Sequence, residues 1–350
     1  MNEYINNDFD FHIIGASFAG SSIARELLKK NKSVLLIDYS EPGSRLKCAG
    51  GIEMHAFQHA NLDIPFEKCM RGILSLDGEL FEKKIDYAVV DRRTLDKASC
   101  DKAISEGAKF AKAKYLSHNE AGKTLEILIE GKKEKVKFNN LILANGFSHT
   151  KKNIFLEPYS IAKVEIVKGV SPQPGSLMFI FESGEMNGYY WIFPLPDGKL
   201  NIGAGSVTDF KHIDSKFQEF KKKFLLNGEI IARGGGIIPL YPSLFPQNEN
   251  GSVTKFGNAA GMVQPLTGEG LKYISRISQI FADSMAKGDP INLKWLLSEP
   301  FFKIMLGTLL LRLCFCGGNS GMRLYVSLAK FATHFSDWKK IIQNDSLRKL

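Results

Sequence analysis

A short glycine-bearing segment near the N-terminus constrains the fold of this 350-residue chain most strongly. Residues 9–14 are apolar and rich in β-forming side chains, the segment GASFAG follows at residues 15–20, and a helical pattern runs over residues 18–30. A second apolar run over residues 33–37 ends at Asp38. An apolar strand, a glycine turn, a helix and a second apolar strand predict the βαβ unit of a parallel sheet.

This βαβ unit has the features of a dinucleotide-binding site. Gly15 permits a tight turn, and the small side chains of Ser17 and Ala19 let a diphosphate approach the backbone amides at the helix N-terminus. Asp38 closes the second strand after Gly20, where a carboxylate can accept hydrogen bonds from an adenosine ribose. Because Ser17 replaces the second glycine of the usual fingerprint, a βα turn without a ligand stays open as the less favoured alternative.

A second glycine cluster, residues 257–271, also leads into a helix and bears on the choice between nicotinamide and flavin. Its Asn258 can place a polar side chain near a ribityl or phosphate group. The helix N-terminus that follows can stabilise the negative charge of a reduced flavin. FAD is long and is wrapped by segments from both ends of a domain, whereas a simple nicotinamide dehydrogenase needs no second segment. The two clusters together favour FAD.

The middle of the chain predicts a different architecture. Short strands of alternating polarity lie between residues 161 and 204, separated by turn residues such as Asp197-Gly198, and they indicate an antiparallel sheet. The predicted fold class is α/β, with a Rossmann-like FAD-binding domain, an inserted antiparallel-sheet substrate domain and a helical C-terminus. The predicted boundaries are residues 1–150 and 246–290 for the FAD-binding domain, 151–245 for the substrate domain and 291–350 for the helical C-terminal region.

Composition and cysteine use narrow the functional class. The chain has 46 Lys and Arg against 37 Asp and Glu, a formal net charge of +9, which suits an anionic lipid or a phosphorylated substrate as well as nucleic acid. Without a dense basic tract, no nucleic-acid partner is predicted. The five cysteines form no CxxC pair and no zinc spacing, which predicts reduced thiols and no metal site.

Targeting signals and membrane spans are not evident in the sequence. No run is long and apolar enough to span a bilayer, and the N-terminus lacks the pattern of a secretory signal. A cytoplasmic protein is therefore expected. The segment after residue 291 is rich in apolar side chains. These side chains could contact a membrane peripherally, and ordinary helix packing is the alternative.

The glycine motifs, Asp38 and Arg92 resemble the FAD-binding fold of the aromatic hydroxylases. The chain is more closely similar to the geranylgeranyl reductase family, which includes the archaeal digeranylgeranylglycerophospholipid reductases. Two stretches carry this resemblance: KCAGGI at residues 47–52 resembles the family's cysteine–glycine segment, and YYWIFP at 189–194 with GAG at 203–205 fits its YxWxFP…GxG pattern. The resemblance covers roughly residues 9–290.

The glycine motifs and the resemblance together imply FAD as the cofactor. The implied contacts to FAD are Gly15, Ser17, Phe18, Ala19, Gly20, Asp38, Cys48, Ala49, Gly51, Arg92, Asn258, Gly268, Gly270 and Leu271. Asn258 and Asn145 stand where the family has aspartate. Asparagine keeps an acceptor oxygen, so FAD binding is still expected.

The resemblance further implies the reduction of isolated double bonds in a prenyl chain on a lipid or a quinone, by hydride transfer from flavin N5 and protonation. Tyr189, Trp191 and Phe193 alternate along a predicted strand and share one face, where aromatic rings can stabilise positive charge by about 0.5–2 kcal/mol each. Cys48, Tyr189 and Trp191 are the candidate catalytic residues, and Phe193 and Pro194 are assigned to the substrate pocket. Core packing stays open for the aromatic residues, as does a purely structural Cys48.

Rival functions share the nucleotide fold. A flavin monooxygenase or halogenase is one, although halogenases carry a WxWxIP motif where this chain has YxWxFP. An electron-transfer flavoprotein–quinone oxidoreductase is another, but the sequence offers no cysteines for an iron–sulfur cluster. A flavin-binding lipid carrier is a third. Because no second dinucleotide fingerprint is present, the electron donor stays open between NAD(P)H and ferredoxin.

Overall fold

The computed structural model describes residues 5, 8–147, 159–170, 175–182, 188–207, 210–241, 251–265, 267–288, 306 and 339–341. The C-terminal region over 291–350, predicted to be helical, lies outside these residues except at 306 and 339–341. At Lys339–Ile341 the expectation of a helix is wrong, because the backbone there pairs as a strand with the edge of a sheet.

The N-terminal βαβ unit belongs to a parallel sheet of five strands, counted over the described ranges. Its strands are β1 (Phe11–Ile14), β2 (Val34–Asp38), β6 (Lys109–Lys112), β10 (Asn140–Leu143) and β16 (Val253–Lys255). They lie in the order β16-β10-β1-β2-β6, and every neighbouring pair is parallel. β1 and β2 are buried along their whole length, which explains their continuous apolar runs.

Helices cover one face of the parallel sheet and a small sheet covers the other. The helices are α1 (Phe18–Leu28), α2 (Met54–Ala60), α3 (Arg92–Ser105) and α5 (Leu271–Ala286), and the small antiparallel sheet is β7 (Lys114–Asn119), β8 (Thr124–Ile129) and β9 (Lys132–Lys137). The period of two along β1 sends Ile13 into the helix-side core and Ile14 into the core under the small sheet.

A second, larger sheet confirms the predicted antiparallel architecture and extends it. Its strands are β3 (Gly51–Glu53), β4 (Glu67–Leu76), β5 (Glu79–Val89), β11 (Tyr159–Lys168), β12 (Ser176–Phe181), β13 (Gly188–Leu195), β14 (Lys199–Ser206), β15 (Glu229–Pro239) and β17 (Lys339–Ile341). The order is β15-β11-β14-β13-β12-β4-β5-β17, with β3 also on β5, and β12 with β4 is a parallel pair. The sheet thus takes strands from residues 51–89, which the sequence did not assign to it.

The hairpin between β13 and β14 forms where the sequence predicts it. Asp197 and Gly198 both adopt positive φ, 62° and 65°, the conformation that a tight hairpin favours. The hairpin sets the register in which Trp191 lies opposite Gly203. Helix α4 (Phe210–Lys223) packs on the far side of this sheet and covers one of its faces.

Candidate functional site

A cavity of about 1000 Å³ lies between the helix ends of the parallel sheet and one face of the large sheet. Three groups of residues form its wall: the turn after β1, the segment that leads into α5, and the inward-facing side chains of the large sheet. Residues of both glycine clusters and the aromatic side chains of β13 therefore line the same cavity.

The turn after β1 is shaped by Gly15. The φ angle of Gly15 is 107°, a backbone conformation that residues with a side chain rarely adopt. A Cβ at this position would also overlap the carbonyl of Ala144. The Ala16 N–H donates to Asp38 Oδ2 at 3.0 Å, so the carboxylate at the end of β2 ties the turn in place. Ser17 stands at the N-cap of α1, where its side chain makes no capping hydrogen bond among the described residues, and both Ser17 and Ala19 line the cavity, so the N-terminus of α1 borders it.

Asp96 was not identified from the sequence, yet it organises this end of the cavity. Its Oδ1 accepts from the Phe18 N–H at 2.8 Å and from Arg92 Nε at 2.8 Å. Burial disfavours the charge of Arg92, but the neighbouring Asp96 and Cys48 more than offset this and raise its pKa above the ordinary value. Arg92 therefore stays cationic at the cavity wall.

The cysteine loop adds to the positive character of this end. Burial, followed by the charges of Arg45 and Arg92, lowers the pKa of Lys47, which also lines the cavity. Cys48 Sγ accepts a hydrogen bond from the Gly50 N–H at 3.4 Å. An anion placed here would relieve the repulsion among the basic groups.

The second glycine cluster reaches the opposite side of the cavity. Gly257–Ala260 is a 3₁₀ turn, and α5 begins at Leu271 after Gly270, which has no side chain to cap it. The position of a Cβ on Gly270 lies 3.8 Å from Asn258 Oδ1, so the two are neighbours. Asn258, Gly268, Gly270 and Leu271 all line the cavity.

The aromatic side chains of β13 face the cavity as their alternation predicts. Tyr189, Trp191 and Phe193 line it together with Phe179 and Phe181 of β12. The ring centroids of Phe179 and Phe193 are 5.2 Å apart at 77°, and those of Tyr189 and Trp191 are 6.2 Å apart at 60°. These edge-to-face contacts make a continuous aromatic wall, which we call the aromatic stripe: Tyr189, Trp191 and Phe193.

The glycines of the GxG segment make room for the indole of Trp191. A Cβ on Gly203 would overlap that ring, and one on Gly205 would lie 3.8 Å from Trp191 Cζ3. Trp191 Nε1 donates to Asn201 Oδ1 at 2.9 Å, and Asn201 Nδ2 donates to the Cys48 carbonyl at 3.0 Å. Asn201 thus links the aromatic stripe to the cysteine loop.

Most of the residues singled out in the sequence meet at this cavity. Gly15, Ser17, Ala19, Asp38, Cys48, Ala49, Gly51 and Arg92 line it at the β1 side and the cysteine loop. Of the described residues, the cavity wall does not include Phe18, Gly20 or Pro194. Phe18 is 1% exposed in the core beneath α1, Gly20 packs on the Gly15 carbonyl, and Pro194 is buried on the opposite face of β13.

Four further residues at or beside the cavity were missed: Asp96, Asn201, Tyr87 and Glu269. A polar residue at an inward position of an apolar strand could have drawn attention to Asn201, which is fully buried. Tyr87 and Glu269 are 182 residues apart and join through a hydrogen bond of 3.0 Å, a contact that no local pattern reveals.

The chemistry of the wall suits FAD. Two helix N-termini, those of α1 and α5, open onto one cavity, and each favours negative charge. Arg45, Lys47 and Arg92 line the same side as the first of them. A diphosphate at one end and a reduced flavin ring at the other are the anions that this arrangement stabilises.

Comparison with known sequences identifies relatives of this chain. A scan against models of protein families found no match. An uncharacterised protein of Methanosarcina barkeri is 30% identical over 292 residues, which cover 79% of this chain and 74% of the relative. Digeranylgeranylglycerophospholipid reductase 2 of Methanopyrus kandleri is 26% identical over 297 residues, 75% of this chain and 73% of that protein.

Solved structures share the fold. A geranylgeranyl bacteriochlorophyll reductase-like protein from Thermoplasma acidophilum has a TM-score of 0.72 at 19% identity, covering 93% of this chain and 88% of that one. A flavin-dependent brominase has a TM-score of 0.68 at 17% identity, covering 94% and 90%. In the part of the chain that the structure describes, no helix has the length and apolarity needed to cross a membrane. The motifs that meet at the cavity agree with these relatives. The chain belongs to the geranylgeranyl reductase family and is an FAD-dependent oxidoreductase.

Proposed function

We propose that this protein reduces isolated carbon–carbon double bonds of a prenyl chain carried by a lipid or a quinone. The observation that supports this most is the position of the aromatic stripe in the same cavity as the two helix N-termini that suit FAD. Relatives matched over 73% and 78% of their own length are named digeranylgeranylglycerophospholipid reductases, which agrees with a prenyl substrate. Residues 1–150 and 246–290 would then form the FAD-binding domain, and 151–245 most of the substrate domain.

The assignment of FAD contacts follows the wall of the cavity. Backbone N–H groups at Ser17 and Ala19 would hold the diphosphate, Asp38 the adenosine ribose, and Arg92 would balance the negative charge. Cys48, Ala49 and Gly51 would lie along the ring system. Asn258, Gly268, Gly270 and Leu271 would hold the ribityl chain and the far edge of the ring. When bound, FAD supplies the hydride that an unactivated double bond needs.

The chain's own residues would stabilise the charge that develops on the substrate. A trisubstituted double bond accumulates positive charge on its methyl-bearing carbon as it is protonated. The faces of Trp191 and Tyr189 can stabilise that charge by about 0.5–2 kcal/mol each in a site without water. Asn201 fixes the indole plane through the 2.9 Å hydrogen bond to Trp191 Nε1. Phe193 and Phe179 would pack against the hydrocarbon and exclude water.

The partners follow from this chemistry. The substrate is apolar and would come from a membrane, so we propose a cytoplasmic protein that meets the bilayer peripherally. Electrons would come from NAD(P)H or ferredoxin, since the described cavity serves one dinucleotide and one substrate. A transient donor is compatible with a single resident cofactor.

Mass spectrometry of prenyl lipids tests the proposal directly. FAD-loaded protein, reduced with dithionite under anaerobic conditions and given a geranylgeranyl lipid, should add two hydrogens per double bond to the lipid. The fold likeness to a flavin-dependent brominase supports a second candidate, an oxygen-dependent monooxygenase or halogenase. Substrate-dependent oxygen consumption without hydrogen gain would favour that candidate and count against the reductase.

A further inference from the structure

Reduction of a double bond needs a proton as well as a hydride, and this inference about the proton donor rests on the proposed function. Two tyrosines of the cavity wall carry a transferable proton and pack against the cluster that contains Trp191 and Phe193: Tyr189 and Tyr87. The hydroxyl of Tyr189 contacts a backbone carbonyl, whereas that of Tyr87 contacts an ionisable side chain.

The hydroxyl hydrogen bond of Tyr189 goes to the backbone. Its hydroxyl donates to the carbonyl oxygen of Thr267 in the segment before α5. A backbone carbonyl accepts a hydrogen bond but has no proton to return. This contact fixes the ring of Tyr189 against the loop and suits a residue that shapes the cavity.

Tyr87 is held by a chain of ionisable groups along the cavity wall. Its hydroxyl donates to Glu269 Oε1 at 3.0 Å, and Glu269 Oε2 lies 2.7 Å from Lys272 Nζ. All three residues line the cavity. The side chains of Glu269 and Lys272 are 18% and 21% exposed, so both are accessible to water.

The surroundings of Tyr87 keep its hydroxyl protonated. Burial, then the charge of Glu269, raises the pKa of Tyr87 well above its ordinary value, and Glu53 and Tyr273 add to the effect. Glu53 lies opposite Tyr87 in the pairing of β3 with β5, and Arg276 of α5 is 3.2 Å from Glu53. The phenol is therefore loaded with its proton throughout the neutral pH range.

We infer that Tyr87 delivers the proton of the reduction, and that Lys272 returns a proton to it through Glu269. Bound FAD would supply the hydride for the C–H bond at one alkene carbon. The proton from the Tyr87 hydroxyl forms a C–H bond at the other carbon, so the π bond and the O–H bond break. The Lys272 ammonium reprotonates the phenolate by way of the Glu269 carboxylate, and water reloads Lys272. A nicotinamide or iron–sulfur donor restores the two electrons.

A single-turnover experiment on the FAD-loaded protein tests the role of Tyr87. Tyr87→Phe should lower the rate of prenyl reduction about 100-fold, the usual contribution of a general acid, with FAD content and substrate affinity unchanged. Tyr190→Phe is the matched control, because Tyr190 lies on the same sheet but on the face away from the cavity. It should react at the wild-type rate.

A spectroscopic titration tests the chain of groups without any turnover. The tyrosinate absorbance of the wild type minus that of Tyr87→Phe reports the ionisation of Tyr87. Glu269→Gln should shift this ionisation to lower pH, because it removes a negative charge at hydrogen-bond distance. It should also slow prenyl reduction and change its pH profile. Should Tyr87→Phe not retain FAD, Glu269→Gln and Lys272→Met provide the same comparison.

The outcomes separate the two proposals. A Tyr87→Phe protein that reduces the prenyl chain at the wild-type rate, with the same solvent deuterium isotope effect, overturns the proton-donor role and leaves the proposed function standing. An unshifted tyrosinate titration in Glu269→Gln overturns the reloading chain. A wild-type protein that binds FAD and reduces no prenyl substrate overturns both.

Discussion

Both faces of strand β13 carry aromatic side chains, but the side chains on the two faces contact different surroundings. On one face, Tyr190 stacks on Phe220 of α4 with centroids 4.4 Å apart and planes at 7°. On the other, Tyr189, Trp191 and Phe193 line an open cavity of about 1000 Å³. Aromatic residues alone therefore do not distinguish a packed core from a binding site. The distinction depends on whether another element, such as a helix, covers the face that carries them.

The covered face is completed by ion pairs at its margin. Glu165 of β11 is almost fully buried and accepts from Lys221 Nζ at 2.7 Å and from Arg233 Nε at 3.1 Å. Lys163 pairs with Asp214 of α4 at the same margin. A helix closes this face, and of the ion pairs at its margin Glu165–Lys221 is buried, whereas Lys163, Asp214 and Arg233 are partly or largely exposed. The opposite face instead borders the cavity, where Trp191 and Phe193 are 6% and 5% exposed and the Tyr189 hydroxyl donates to the Thr267 carbonyl.

Removing a ring from the covered face should cost the most. Phe220→Ala deletes a side chain that is 3% exposed and stacked on Tyr190, and we expect the free energy of unfolding to fall by about 4 kcal/mol. Urea denaturation of the FAD-loaded protein measures this change. The folded fraction should still reduce substrate at the wild-type rate, and a specific loss of turnover would show that the faces are coupled.

Acid should destabilise the parallel sheet rather than either face of β13. Burial lowers the pKa of His12 on β1 from 6.5 to about 4, and neither ring nitrogen has a hydrogen-bond partner among the described residues. Between pH 6.5 and 4 the unfolded chain binds a proton that the folded chain does not, so stability falls as pH falls.

The loss at His12 should reach about 3 kcal/mol by pH 4 and should end below that pH, where both states are protonated. Denaturation of His12→Leu across this range is the comparison, because the variant has no such group. If the free energy of unfolding of the wild type depends on pH with the same slope as that of His12→Leu, then His12 is not the cause of the acid destabilisation.

Removing a ring from the open face should lower turnover as well as stability, because Trp191 is only 6% exposed. Trp191→Ala should lower prenyl reduction at least about 30-fold, the equivalent of about 2 kcal/mol of lost charge stabilisation, while FAD stays bound. Trp191→Phe keeps an aromatic face and should recover part of the rate. Unchanged turnover in Trp191→Ala would mean that the open face is core after all.

The smallest effect is expected at the link between the aromatic stripe and the cysteine loop. Asn201→Ala leaves the Trp191 N–H and the Cys48 carbonyl without their partner, and we expect a loss of about 1–2 kcal/mol in stability. Indole fluorescence should shift as the ring loses its fixed plane. An unchanged emission maximum and a wild-type melting temperature would show that Asn201 is dispensable.

Local patterns in the sequence were enough for the βαβ unit, the strands of the inserted sheet and the stripe on β13. Each depends on periodicity or on a turn, and both act over a few residues. The sequence could not show that β4 and β5 join the large sheet, since that pairing depends on a parallel contact with β12 far along the chain.

The positions of three motif residues outside the cavity wall have a similar origin. Phe18 and Gly20 belong to the glycine motif, but a helix turns one of its faces inward, and these two pack in the core. Pro194 follows Phe193 in the motif and so faces the other way. The link from Tyr87 to Glu269 spans 182 residues and depends on the tertiary fold alone.

The most direct test follows the colour of the protein in a sealed cuvette. The FAD-loaded protein is reduced with one equivalent of dithionite, and a geranylgeranyl lipid is then added without oxygen. If the cavity holds the flavin beside the prenyl chain, the yellow absorbance returns, with one double bond reduced per flavin reoxidised. Absorbance that stays bleached until air is admitted, with the lipid unchanged, would contradict the account.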